Sequence, residues 1–171
     1  VTALTLPLEI TVLVCNSPRA RSLERAETLG IPSRLVPWDR KAIARDVYDA
    51  LLLAQIHEEA PELVLLLGWG HLFSAPFIEA FPNAINIHPA FLPLDQTHDE
   101  VTLPDGTIQP AFRGVRAVED ALEAGSSWIG ATAHQLSLGT DRGPILARKP
   151  IAIGDLGDDK NAIAARLHPI E

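Results

Sequence analysis

Methionine is absent from the 171 residues, and cysteine occurs once, as Cys15. A single cysteine rules out a disulfide framework and a cysteine-based metal cluster. Positive charge is scarce too: 14 Lys and Arg stand against 22 Asp and Glu, a net charge of -8. A nucleic-acid binder normally carries a basic stripe, so this balance argues against one, while leaving room for a small anionic ligand in a local site. Long apolar runs are missing; "LVLLLGW" is far too short to span a membrane. The opening "VTALTLPLEITVLV" lacks the basic region and cleavage site of a signal peptide. The expectation is a cytoplasmic protein with no nucleic-acid, membrane or metal partner. A start at Val1, the lack of methionine and an end inside the helical pattern "DDKNAIAARLHPIE" predict a piece of a longer chain.

What is present is an alternation of two periods. "EITVLVCN", "SRLVPW", "ELVLLLG" and "AINIH" read as strands, the third apolar on both faces and therefore expected to be buried. "RARSLERAETLG" reads as a helix stopped by Gly30, and "APFIEAFP" as a short one. "DRKAIARDVYDALLLAQIHEEA" predicts an amphipathic helix with Ile43, Val47, Ala50, Leu51 and Ala54 on its apolar face. After a polar stretch comes "EVTLPDGTIQP", whose Asp105-Gly106 is a strong hairpin signal. "RGVRAVEDALEAG" is a helix ended by Gly125, and two strands follow, "WIGATAHQL" and "GPILARKPIAI". Pro150 suits the second to a sheet edge. Such alternation predicts an α/β domain with a doubly wound, mostly parallel sheet and helices on both faces.

In sheets of this kind ligands bind beyond the carboxyl ends of the strands. That rule gathers Gly68–Leu72, Asn86–Pro89 and the loop "SLGTDRGP". Asn86 and His88 are two apart on a strand, so their side chains share a face. An Asn amide can donate to a developing oxyanion. A His can carry the proton of an attacking amine. Asp141 can hold that imidazole or order a water. No Ser or Cys stands in a nucleophile's setting, which favours direct transfer to an amine over a covalent enzyme intermediate. By spacing alone, Asn-x-His is more often a strand-end turn and cap than a site, Asp141 more often a turn residue, and His134 usually a satisfied core histidine.

The run "NIHPAFLP", then "ALEAG", "GATAHQL" and "DRGPIL", together with "PELVLLLGWGHLFSAPFIEAFPNAINIHP", resembles the folate-dependent formyltransferase family from about Glu9 to Glu171. The resemblance implies a Rossmann-like formyltransferase fold and a single catalytic domain over residues 1–171, truncated at both ends. Asn86, His88 and Asp141 fall on the family's catalytic residues. Gly68, Trp69, Gly70, His71 and Leu72, with Ser137, Leu138, Gly139 and Thr140, fall on the segments that hold the folate pterin. His134 matches a supporting histidine. Ile87, Pro89 and Glu171 match substrate-binding positions, Glu171 on the ribose. A cis peptide at Leu92–Pro93 is also implied.

The implied reaction is formyl transfer from 10-formyltetrahydrofolate, as co-substrate, to the amine of glycinamide ribonucleotide in purine synthesis, through a tetrahedral intermediate. Alternatives are formyltetrahydrofolate hydrolysis, transfer to a nucleotide sugar or aminoacyl-tRNA, or a non-catalytic folate- or nucleotide-binding domain. The hydrolase branch tends to carry a second His where Pro89 stands. A homodimer is a further possibility.

Two departures stand out. The family's first strand and its glycine-rich phosphate loop have no counterpart here. Residues of about 95–110 look inserted, and a lid, dimer contact, specificity element and tolerated surface insertion all fit. His98 and Asp99 within that stretch read as solvated, as do Arg113 and Arg116 at the following helix start.

Overall fold

The computed structural model describes residues 8–157 and 159–169. Two compact units divide the chain, residues 1–62 and 63–171.

In the first unit β1 (Leu13–Cys15) and β2 (Ser33–Leu35) pair in parallel around α1 (Arg21–Leu29). Gly30 ends α1 with φ of 68°, a left-handed conformation that glycine adopts without a Cβ penalty. The second helix, α2, spans Arg45–His57. Its buried residues are Tyr48, Asp49 and Leu52, while Val47 and Leu51 are exposed, so the expected apolar face is displaced. Aromatic packing decides this. The Tyr48 ring stacks on Trp38 at 4.9 Å, and its hydroxyl donates to the Val36 carbonyl at 2.7 Å. Burial first, then the charges of Asp49 and Cys15, push the Tyr48 pKa up to about 12.

The second unit is built on a four-stranded sheet in the order β3 (Leu65–Leu67), β4 (Ile85–His88), β7 (Trp128–Gln135), β8 (Ile145–Ala152). β3 and β4 are parallel, with α3 (Ala75–Ala80) between them in sequence. β7 and β8 are antiparallel, so the sheet is mixed. Only residues 136–144 join β7 to β8, and a parallel crossover needs a dozen or more. Pro150 does lie on an edge strand, opposite Gly130. β5 (Glu100–Thr102) and β6 (Ile108–Pro110) form the expected hairpin, with Gly106 at φ of 85°. α4 (Ala117–Glu123) and α5 (Lys160–Leu167) contribute Ala117, Ala121, Ile163 and Leu167 to a core shared with Ile129, Ala131, Ile151 and Ile153.

β3 departs from expectation: Leu65 and Leu67 are 50% and 70% exposed. β3 is an outer strand of its sheet, so an apolar sequence does not by itself supply cover. The Leu92–Pro93 peptide is trans, against the implied cis form, since the described residues contain no cis peptide. Here the Thr132 side chain fixes the turn instead. Its hydroxyl donates to Ala90 O at 2.6 Å and accepts from Leu92 N at 3.1 Å.

Candidate active site

Strand register creates the site. Asn86 lies opposite His134 and His88 opposite Thr132, and residues directly opposite share a face of the sheet. Because β7 runs antiparallel to β4, the loop after it must turn back for Asp141 to reach Asn86 and His88. Two backbone features allow that turn. Asp141 adopts φ of 50°, a region that Asp tolerates better than most residues. Gly143 passes so close to the neighbouring strand that a Cβ would sit 1.7 Å from Gln135 O.

The polar contacts are specific. Asp141 Oδ2 accepts from the Gly114 N–H at 2.7 Å and lies 3.4 Å from His88 Nδ1. Asp141 Oδ1 accepts from Asn86 Nδ2 at 3.3 Å. His134 Nε2 lies 3.2 Å from Asn86 Nδ2. His134 Nδ1 sits 2.8 Å from the Gln135 carbonyl, which can only accept, so Nδ1 carries a proton, while Nε2 faces Asp141 Oδ1 at 3.4 Å as well as Asn86. The same logic protonates His88 at Nε2, 2.8 Å from Phe112 O. A neutral His88 therefore turns an unprotonated Nδ1 toward the Asp141 carboxylate. A proton arriving at Nδ1 is held between ring and carboxylate.

Electrostatics agree with the geometry. His88 is 4% exposed and Asp141 11%. Burial lowers the His88 pKa, against a raising effect of Asp141 and of Phe112 O. Burial works against the Asp141 carboxylate, yet the His134 hydrogen bond, the His88 charge and the Gly114 N–H outweigh it, leaving its pKa below the ordinary value. Near neutral pH the pair is thus imidazole and carboxylate, ready to accept a proton.

A cleft of about 260 Å³ opens beside these groups, near the small end of ligand pockets. Its walls include Gly68, Trp69, Gly70, His71, Leu72, Asn86, Ile87, His88, Pro89, His134, Ser137, Gly139, Thr140 and Asp141. Leu138 points elsewhere: it is exposed and lies outside the lining, although its neighbours on both sides belong to it. Glu171 lies outside the described residues. Trp69 stacks on Phe73 at 5.5 Å, and its buried Nε1 has no hydrogen-bond partner.

Sequence reading missed the Gly114 N–H and the Phe112 carbonyl, because backbone groups carry no residue-type signal. Arg113, expected to be solvated, is half-buried, with Nη2 donating to His98 O at 3.0 Å. Burial, then the charge of Arg142, lowers its pKa. Arg116 is exposed and pairs with Asp120 and Glu123. Among the described residues no group of three or more His, Cys, Asp and Glu is arranged to hold a metal. None of the described helices is long and apolar enough to cross a membrane.

The sequence pattern of the formyl transferase family matches residues 4–95 and 105–171. The chain belongs to the formyl transferase family. It is 33% identical over 164 residues to a phosphoribosylglycinamide formyltransferase of Bacillus subtilis (strain 168), covering 94% of this chain and 73% of that protein. A formyltetrahydrofolate deformylase of Escherichia coli O6:H1 is 32% identical over 149 residues, which is 86% of this formyl transferase chain but 46% of that one. The crystal structure of glycinamide ribonucleotide transformylase 1 from Geobacillus kaustophilus superposes with a TM-score of 0.77 at 26% identity, over 96% of this chain and 78% of that one. Between the two blocks of the family match lies 96–104, inside the stretch expected as an insertion.

Proposed function

We propose that this chain is the catalytic part of a folate-dependent formyltransferase that moves the formyl group of 10-formyltetrahydrofolate to the amine of glycinamide ribonucleotide. The observation that carries the reading is the meeting of Asn86, His88 and Asp141 at one wall of a single cleft. The amine attacks the formyl carbon, and the carbonyl oxygen becomes an oxyanion. Asn86 turns one N–H from His134 or Asp141 toward that oxygen. The new carbon–nitrogen bond leaves an excess proton on the attacking nitrogen. His88 Nδ1 takes it under the charge of Asp141 and returns it toward the folate nitrogen as the old carbon–nitrogen bond breaks. His134 holds the Asn86 amide in register. Gly68–Leu72 and the loop Ser137–Asp141 border the space for the pterin, with Ile87 and Pro89 on the acceptor side.

Water in place of the amine would make the same groups a deformylase. The discriminating experiment follows folate product from 10-formyltetrahydrofolate with and without glycinamide ribonucleotide, on the whole protein. Product only with the ribonucleotide is expected. Product at the same rate without it would replace transfer by hydrolysis.

A further inference from the structure

The stretch 96–104 that separates the two blocks of the family match carries the first strand of the hairpin, and it is anchored in the second unit. Val101 and Leu103 are buried with Phe91, and Trp128 packs against them. Trp128 Nε1 donates to Asp105 Oδ2 at 2.7 Å, and Ala111 N donates to Asp99 O at 2.8 Å. The start of this segment reaches two arginines. Arg142 Nη1 donates to Gln96 O at 2.6 Å, and Arg142 Nη2 pairs with the Asp99 carboxylate. Arg113 Nη2 donates to His98 O at 3.0 Å.

The positions of those arginines give the contacts meaning. Arg142 directly follows Asp141, whose backbone sits at φ of 50°. Conformations of that kind persist in a non-glycine residue when the surroundings fix them. Arg113 directly precedes Gly114, whose N–H donates to Asp141 at 2.7 Å. One segment thus grips both the loop that carries the carboxylate and the loop that carries its donor.

We infer that Gln96–Asp99 is a clamp that sets the Asp141 carboxylate against His88 and Asn86, with Asp99 as a positioning residue acting through Arg142. The clamp belongs to this chain rather than to the common family pattern, because Gln96, His98 and Asp99 all fall in the unmatched stretch 96–104. An exposed ion pair adds little to global stability. Its effect therefore belongs to loop geometry and not to folding. The inference rests on the proposed transfer reaction only for its kinetic readout.

The test compares Asp99→Ala and Asp99→Glu with the parent in the whole protein. Misplacing a reacting group by about 1 Å costs up to roughly 100-fold, so Asp99→Ala should lower kcat roughly 10- to 100-fold with KM for the folate changed less than about twofold. Asp99→Glu should recover most of that loss, and the melting temperature should be retained. An activity-free readout runs beside it: the imidazole of His88, followed by NMR, should titrate at lower pH in Asp99→Ala because Asp141 has withdrawn. Parent-like kcat with an unmoved His88 titration overturns the clamp, and so does an Asp99→Ala chain that fails to fold. If the parent itself turns over no substrate, the transfer reading falls, and the His88 titration alone decides the clamp.

Discussion

The Asn86 amide nitrogen has two partners before any substrate arrives, His134 Nε2 and Asp141 Oδ1. Both hold it in the geometry from which it can be shared with an oxyanion. Replacing Asn86 by Ala should cost roughly 100- to 1,000-fold in kcat, the usual loss for one oxyanion donor. Steady-state kinetics with a folate-binding control would check it, and a loss confined to folate affinity would remove Asn86 from the chemistry. For His88 the sign of pH dependence follows from its lowered pKa. The proposed proton acceptor is neutral His88, so the rate should fall on acidification with a midpoint below about 6.5, the ordinary histidine value. Asp141 raises the His88 pKa, so Asp141→Asn should move the His88 NMR titration to still lower pH. An upward move would contradict the pairing. All three proposed reactive side chains were legible, Asn86 and His88 as Asn-x-His at a strand end and Asp141 as the acid of the loop "SLGTDRGP". Their partners Phe112 O and Gly114 N were not, since any residue type offers those atoms.

At the level of elements, the turn from His88 to Pro93 depends on a neighbour in β7. Thr132 is fully buried, and its hydroxyl serves both Ala90 O and Leu92 N. Thr132→Val keeps the shape but strands a buried donor and acceptor, at a cost of about 1–3 kcal/mol for each unsatisfied group. Chemical denaturation should show that loss, and unchanged stability would mean the turn is held by other contacts. Gly143 sets the second loop. A Cβ there would meet Gln135 O at 1.7 Å, so Gly143→Ala should displace the Asp141 loop and lower both melting temperature and turnover. Retention of both would show that the loop has slack. Helix and strand types were legible from period and glycine stops, including α1, α4 and the β5–β6 hairpin. The buried face of α2 was not, because stacking between Trp38 and Tyr48 outweighed the aliphatic periodicity.

For the molecule as a whole, both titrating members of the site pull stability the same way. The folded pKa of Asp141 is depressed, so its contribution is present above the ordinary carboxylate value and is lost as pH falls through the folded one. The folded pKa of His88 is depressed too. Between the ordinary histidine value, about 6.5, and that lower one, the unfolded chain binds the extra proton, and stability declines with falling pH. Thermal unfolding across pH should therefore show a first decline beginning near pH 6.5 that His88→Gln removes. A decline of equal size in that variant would assign it to other groups.

The alternation of strands and helices, the family, and the residue types proposed for the site at Asn86, His88 and Asp141 follow from residue order alone, because side-chain chemistry and local periodicity are written residue by residue. Tertiary structure alone decided the antiparallel course of β7 beside β4, the exposure of Leu65 and Leu67 on an outer strand, the trans turn pinned by Thr132, and the two arginines held by Gln96–Asp99. Each of these depends on which backbone groups lie next to one another across long separations in the chain, and no local pattern encodes that adjacency.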